Sequence, residues 1–325
     1  MAFTDSSLVT IEADGKLRQW DIATTTPTPA QGRPLALSSD TRTLATSAVP
    51  ISVTTPGDIR IRIWRGSRTT EIKGPRDSGY KVALSPDGRL MAGLGRAGTL
   101  ILWDLATGTS TTAPADLRGL PSTLTFSPDG KHLAAGAANT DPMVWQVSPA
   151  LKRVTGWETQ PTAKAEGIIA FAPNGTLLAD ARNDGTVLLW NLTGAHEPRI
   201  LRGHQDGLTG LAFSPTGRHL AAAAADGAIR VWNTEGKADP TVLRGPANPV
   251  RKLTFSPDGS WLLTNEPTGA LHLWRPTGGE PVDLTGWGAT GSIAAFTPDG
   301  KQIIRGLSPQ LVGPTGLRQA LTPVS

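Results

Sequence analysis

Few residue groups in this 325-residue chain have the type and spacing to do chemistry. Gly93-Leu-Gly95-Arg-Ala-Gly98 matches the G-x-G-x-x-G pattern of a dinucleotide pyrophosphate cradle and follows an apolar segment. Such a cradle needs a helix N-terminus directly behind it, where converging N–H groups and the helix dipole hold the charge. Thr99-Leu-Ile-Leu-Trp103 has the pattern of a strand instead, so the glycines are expected to form a turn. Arg76-Asp-Ser-Gly79 offers a serine beside an aspartate, but it falls in a loop with no histidine at a matching position. No G-x-S-x-G elbow, Walker A, EF-hand or H-E-x-x-H pattern occurs. His132, His196, His204, His219 and His272 are spread along the chain rather than grouped at ligand spacing. His132 and His219, each two residues past a turn glycine, read as surface strand residues. The absence of cysteine excludes a disulfide framework, a thiolate metal site and a cysteine nucleophile. No catalytic residue, metal or cofactor is expected.

Composition narrows the class further. Hydrophobic residues make up 38% and charged residues 18%, as in a chain that folds rather than one that stays disordered. The net charge of +4 and pI near 9.6 are mildly basic. The Lys and Arg residues are scattered, with no run that would track a phosphate backbone, so nucleic acid is not an expected partner. No stretch reaches the roughly 18 apolar residues a membrane helix needs. Met1-Ala-Phe-Thr-Asp5 lacks a charged segment followed by an apolar one. A cytoplasmic location without membrane contact is expected.

What organises the chain is a repeat. Trp20, Trp64, Trp103, Trp145, Trp190, Trp232 and Trp274 each close a short apolar run, at intervals of 44, 39, 42, 45, 42 and 42 residues. A second landmark, a hydrophobe before a Pro-Asp-Gly-like turn, precedes the Trp by 19 residues in five consecutive units: Leu84, Phe126, Phe171, Phe213 and Phe255. A period in the low forties with two locked landmarks marks a tandem array.

Residues 208–243 show what one unit must be. Leu208-Thr-Gly-Leu-Ala-Phe213 approaches the period-2 alternation of a half-buried strand. Ser214-Pro-Thr-Gly217 supplies a turn, and His219 to Ala224 is a narrow strand of small residues. Asp226-Gly227 is a two-residue hairpin signal. Ile229 to Trp232 and Thr241-Val-Leu243 complete four short antiparallel strands, the content of one propeller blade.

The units resemble the WD-repeat family. Its Ser-Pro-Asp-Gly turn stands at Ser85–Gly88, Ser127–Gly130 and Ser256–Gly259, with Thr297–Gly300 close to it. Trp-Asp occurs at Trp20-Asp21 and Trp103-Asp104 and softens to Trp190-Asn191 and Trp232-Asn233; Gly203-His204 is the one Gly-His pair. The acidic residue six before the Trp is kept at Asp14, Asp58, Asp184 and Asp226 and is replaced by Ala97, Asn139 and Thr268. The resemblance implies an all-β fold: a single closed β-propeller of four-stranded antiparallel blades over 1–325. In the family a His, a Ser/Thr, an Asp and the Trp form a buried tetrad. The unit with His204, Asp226 and Trp232 has alanines where the hydroxyl belongs, so blades held mainly by apolar packing, with few polar networks, are expected.

Eight blades are favoured over seven, because 287–325 repeats the first two strands of a unit and then degenerates: Thr315 stands where a Trp is due, and Leu311-Val312 and Leu321-Thr322 offer weak outer strands. Residues 1–5 read as the end of a first strand, which points to a piece of a longer product. Between Leu37 and Trp64 the spacing grows by eight residues, around 49–56.

The function expected from the resemblance is a non-catalytic, bacterial-type interaction scaffold that binds a protein or peptide on the top face of the propeller. The protein would be monomeric or part of a larger assembly. The alternatives are an enzymatic propeller of lactonase or hydrolase type, or the regulatory propeller of a larger kinase or NTPase protein. Ser256-Pro-Asp-Gly259 does not fit the Asp box of sialidases, whose glycine does not directly follow the aspartate. The first strands carry Ala, Thr, Leu and Ile rather than grouped Glu, Asp or His. The family's top-face positions map onto Arg33, Tyr80, Ser122, Gly167, Thr209, Arg251 and Ser292 at the first-strand starts, and onto Arg96 and Asn183 before the second turn. Tyr80 (the single tyrosine), Arg33, Arg96 and Arg251, with the 49–56 loop, are expected to form the hot spot, with a preference for acidic partners.

Overall fold

The computed structural model describes residues 2–3, 7–11, 17–21, 27–30, 34–39, 42–47, 60–65, 68–73, 81–95, 98–115, 121–148, 150–154, 164–194, 197–236, 239–244, 249–250, 252–284, 294–297, 299–301, 303–305, 310–312 and 318–320. The described residues are all-β, without a helix. They form eight four-stranded sheets spanning 2–30, 34–73, 81–114, 121–153, 165–201, 208–243, 252–283 and 294–320, each with its strands in chain order. The pairings recorded within them are antiparallel. The degenerate last unit supplies the strands Ala294–Phe296, Ile303–Arg305, Gln310–Val312 and Arg318–Ala320. Leu321 and Thr322 lie outside the described residues.

Two compact units divide the chain, residues 2–169 and residues 170–325, with the boundary inside the strand Ala165–Phe171. In the first, Ile61 and Ile63 of one sheet pack with Leu84, Met91 and Trp103 of the next. Leu100 and Leu102 repeat the contact one sheet later with Phe126 and Trp145. In the second unit Ile229 and Val231 pack against Phe255, Leu262 and Trp274. Trp103, Trp145 and Trp274 therefore each pack with two aliphatic side chains of the preceding sheet's third strand. Trp145, Trp190 and Trp274 are almost wholly removed from water. Burying so large an apolar surface is the main force joining sheet to sheet.

The sequence forms these sheets for local reasons. In the second strand His219–Ala224, four consecutive alanines are fully buried, and their small side chains leave room for sheets on both faces. At Ser85–Gly88 the serine hydroxyl donates to Asp87 Oδ1 at 2.6 Å while accepting the Leu90 N–H at 2.8 Å. The same carboxylate oxygen takes the Arg89 N–H, and Gly88 closes the turn with φ near 67°. The turns are also stacked. A β-carbon on Gly130, Gly217, Gly259 or Gly300 would stand 3.4–3.7 Å from the ring of Pro86, Pro173, Pro215 or Pro257, the proline of the preceding turn.

The second turn differs from expectation. At Asp226-Gly227 the loop is three residues long, Ala225 to Gly227, closed by Gly227 N–H on the Ala224 carbonyl and Ala224 N–H on the Ala228 carbonyl. Glycine with φ near 80° at the third position makes this a type I turn with a bulge. The Asp226 carboxylate caps it by accepting the Ala228 N–H at 2.9 Å.

Candidate binding edge

In a four-stranded antiparallel sheet, the start of the first strand, the turn between the second and third, and the end of the fourth lie at one edge. Ser122, Gly167 and Thr209 fall at first-strand starts, and Asn183 falls in a second-to-third turn. Those sequence-derived positions thus share the same edge of their respective sheets. Arg33, Tyr80, Arg96, Arg251, Ser292 and the 49–56 loop lie outside the described residues.

Ser122 and Thr209 have a feature the sequence did not announce. Pairing in their sheets shifts register between Pro121 and Thr123 and between Leu208 and Gly210, so each is the extra residue of a bulge. A third shift falls between Pro34 and Ala36. A bulge releases a residue from the ladder and re-aims its side chain. Ser122 is exposed. Thr209 is half-buried, and its hydroxyl donates to the Ala223 carbonyl at 3.3 Å.

Around Gly167 two first strands approach closely. The Thr123 hydroxyl donates to the Gly167 carbonyl at 2.9 Å, and the Asn139 N–H donates to the Ala165 carbonyl at 2.8 Å. A β-carbon at Gly167 would lie 2.7 Å from Ser122 Oγ and 2.8 Å from the Ala137 carbonyl carbon, and φ is near 75°. Glycine is required here by both space and conformation. It is a packing position rather than a contact residue.

Asn183 is exposed in the turn that ends at Gly185. Asp184 Oδ1 holds that turn by accepting the Thr186 hydroxyl and N–H at 2.6 and 3.0 Å. Gly185 rests on the backbone of His204, whose carbonyl oxygen would be 2.5 Å from an added β-carbon. His204 is buried edge-on to Trp232, and its Nδ1 lies 2.9 Å from Arg230 Nη1. Burial first, and the Arg230 charge second, lower its pKa from 6.5 to about 4. The imidazole is therefore neutral at physiological pH, and Nδ1 accepts from the guanidinium.

Polar networks in the blade interiors are richer than the alanine pattern implied. Trp64 and Trp274 donate their indole N–H groups to Thr46 and Thr264, each at 3.0 Å. Both threonines stand two residues beyond the residue paired with the Trp, Leu44 and Leu262. Gly93, Ala135 and Ala222 fill that position in three other sheets, and Asp180 fills it beside Trp190. Asp180 and Arg182 are each 1% exposed and form an ion pair at 2.7 Å. At the place of Arg182, the Trp274 sheet has Glu266, 3.2 Å from Nδ1 of buried His272. Sequence reasoning missed all four charged or titratable core residues. Counting from each Trp along its paired strand would have found Asp180, Arg182 and Glu266, and His272 stands two residues before Trp274 on its own strand.

No group of three or more His, Asp or Glu that could hold a metal occurs among the described residues. His132 and His219 both begin second strands and are half-buried, more enclosed than surface residues. Gly98 turns directly into the strand Thr99–Asp104, with no helix for a phosphate to sit on. No described helix is long and apolar enough to cross a membrane.

Three stretches of the chain, 168–191, 196–233 and 239–275, match the family model described as WD domain, G-beta repeat. The small ribosomal subunit protein RACK1y of Oryza sativa subsp. japonica is 27% identical over 154 residues, which cover 45% of each chain. The match thus spans under half the length of that relative. The crystal structure of the computationally designed Ika8 protein superposes with a TM-score of 0.73 at 20% identity, over 94% of this chain and 91% of that one. That likeness concerns the fold alone.

Proposed function

We propose that this chain, which belongs to the WD-repeat β-propeller family, is a non-catalytic scaffold that binds a protein or peptide at the sheet edges on which Ser122, Asn183 and Thr209 each stand. The observation that carries the reading is the pair of bulges at Ser122 and Thr209. They take residues out of the ladder at the same edge position of two repeats, where a partner can reach them. Short loops on a rigid framework suit recognition, because the framework has already restricted their conformations. The family's scaffold role is consistent with this, and no described group favours an enzyme.

The same proposal includes Tyr80, Arg33, Arg96 and Arg251 as the energetic centre, Ser292 and the 49–56 loop as its surround, and an acidic partner. It also takes 1–325 as one domain acting in the cytoplasm. The test begins with a partner captured by the intact chain. Calorimetry then compares the wild type with Ser122→Arg/Asn183→Arg and with Tyr80→Ala/Arg251→Ala, all required to melt like the wild type. Affinity loss of tenfold or more in both variants, about 1.4 kcal/mol, is expected. Affinities that stay within about twofold place the partner elsewhere.

A further inference from the structure

We infer that the outer strand Ser110–Pro114 is a self-association edge, which pairs antiparallel with the same strand of a second copy of this chain. The direction of its backbone groups carries the argument. The Thr109 carbonyl accepts the Asp104 N–H at 2.9 Å, and the Ala115 N–H donates to the Gly98 carbonyl at 2.6 Å. With Thr111 opposite Leu102 and Ala113 opposite Leu100, the odd-numbered residues bond inward to the strand Thr99–Asp104. In an antiparallel ladder the alternate residues face the other way. Ser110 and Thr112 therefore turn their N–H and C=O groups out of the sheet, and no described residue takes them. Both side chains are exposed.

The outward face is self-complementary. A two-fold axis at Thr111 sets Ser110 opposite Thr112 of the second copy, and Thr112 opposite its Ser110. Each pair then exchanges N–H···O=C bonds in both directions. Pro114 also faces outward and has no N–H to give, so it ends the pairing and fixes this register.

Charge, length and proline content together mark this strand out from the other described outer strands: Pro27–Ala30 is also uncharged but has proline at two of its four positions, and the three-residue Arg318–Ala320 carries Arg318. An edge is usually protected by charged residues or by being very short. The six-residue outer strand Arg68–Lys73 carries Arg68, Glu71 and Lys73. Arg199–Leu201 and Thr241–Leu243 have three residues, and Lys152–Arg153 and Val282–Asp283 have two. Ser110-Thr-Thr-Ala-Pro114 has five residues and no charge, so a symmetric pairing brings no like charges together. Threonine is also among the residues that favour strands. Foreign strands could use the same hydrogen bonds, but the symmetric spacing about Thr111 makes a second copy the matched occupant.

The contact is far smaller than the roughly 1,200–2,000 Å² of stable complexes, so the dimer is weak and reversible. Sedimentation velocity of the full chain, from micromolar to millimolar concentration, should show a rising weight-average coefficient. Amide hydrogen exchange in the concentrated sample should slow at Ser110 and Thr112. Thr112→Pro removes an N–H that no strand in the molecule uses, and Thr112→Lys places like charges across the axis. Both variants should stay monomeric and melt like the wild type, with Thr112→Lys carrying the test if the proline variant folds poorly. A wild type that stays monomeric throughout overturns the inference. So does a dimer that persists unchanged in Thr112→Lys, or one that forms without protecting Ser110 and Thr112.

Discussion

Trp274 and Thr264 are joined by a buried side-chain hydrogen bond. The indole N–H reaches Thr264 Oγ1 at 3.0 Å with both side chains buried, and that hydroxyl turns on to the His272 carbonyl at 3.4 Å. Thr264→Val keeps the shape and strands the indole N–H. The expected loss is about 1–3 kcal/mol, the cost of an unsatisfied buried donor. Denaturant melts of Thr264→Val and Thr264→Ser check it, since serine should retain most of the bond. A loss in Thr264→Ser with none in Thr264→Val would show that the methyl group, not the hydroxyl, matters.

The Asp180–Arg182 pair lies in the same structural place with opposite chemistry. Removing one partner leaves a charge where there is no water, so Arg182→Leu should destabilise by about 3–5 kcal/mol. Asp180→Leu/Arg182→Met removes both charges and should recover most of that loss. A double-mutant cycle by urea unfolding measures the coupling, and additive losses would refute it.

For His204 the pH dependence follows from its lowered pKa, about 4 against 6.5. The unfolded chain takes up the proton near 6.5 and the folded chain only near 4. Its stabilising contribution is complete above pH 6.5 and is lost progressively as pH falls from 6.5 to 4. The loss is about 3 kcal/mol at most. His204→Gln should flatten the stability profile across that window relative to wild type. Parallel profiles would mean that the histidine is not the titrating group.

Trp190 and Trp261 should differ. Trp190 is 1% exposed at the repeat position, whereas Trp261 is partly buried with the Arg275 guanidinium 3.6 Å from its ring centre. Trp190→Ala is expected to cost about 3–5 kcal/mol, as for other buried aromatics. Trp261→Ala should cost no more than about half of that, since it gives up only partial burial and a cation–π contact. Equal shifts in thermal melting would contradict the packing described.

Gly185 tests the approach of one sheet's turn to the segment that leads into the next sheet's first strand. Its φ is near 77°, and an added β-carbon meets the His204 carbonyl. Gly185→Ala should destabilise by more than about 1 kcal/mol, because strain and clash add. Gly108→Ala has a similar φ in open space and should cost less. A calorimetric melt of each decides.

The repeat, its strands and its Trp positions were legible because each is written by local rules: alternation, turn residues and a fixed interval. The bulges at Ser122 and Thr209 were not, because they arise from how two strands settle their register, and neither residue announces that alone. Asp180 and Glu266 escaped notice for a related reason. A single carboxylate in a strand looks solvated until its cross-strand alignment places it beside a buried Trp. The second turn was misjudged by one residue, since Asp-Gly fits both a two-residue hairpin and a three-residue one with a bulge. Arg33, Tyr80, Arg96, Arg251 and Ser292 rest on family positions, which geometry within the described residues does not reach.

The proline-on-glycine stacking has an evolutionary consequence. Pro173, Pro215 and Pro257 each meet the glycine of the turn that follows, at Gly217, Gly259 and Gly300. The contact is directional: the turns at 214–217 and 256–259 each offer a proline forward and a glycine backward. Copying one whole period into the gene would reproduce both halves of the joint, whereas copying half a period would leave two like surfaces facing each other. An array joined in this way can lengthen or shorten only by complete periods.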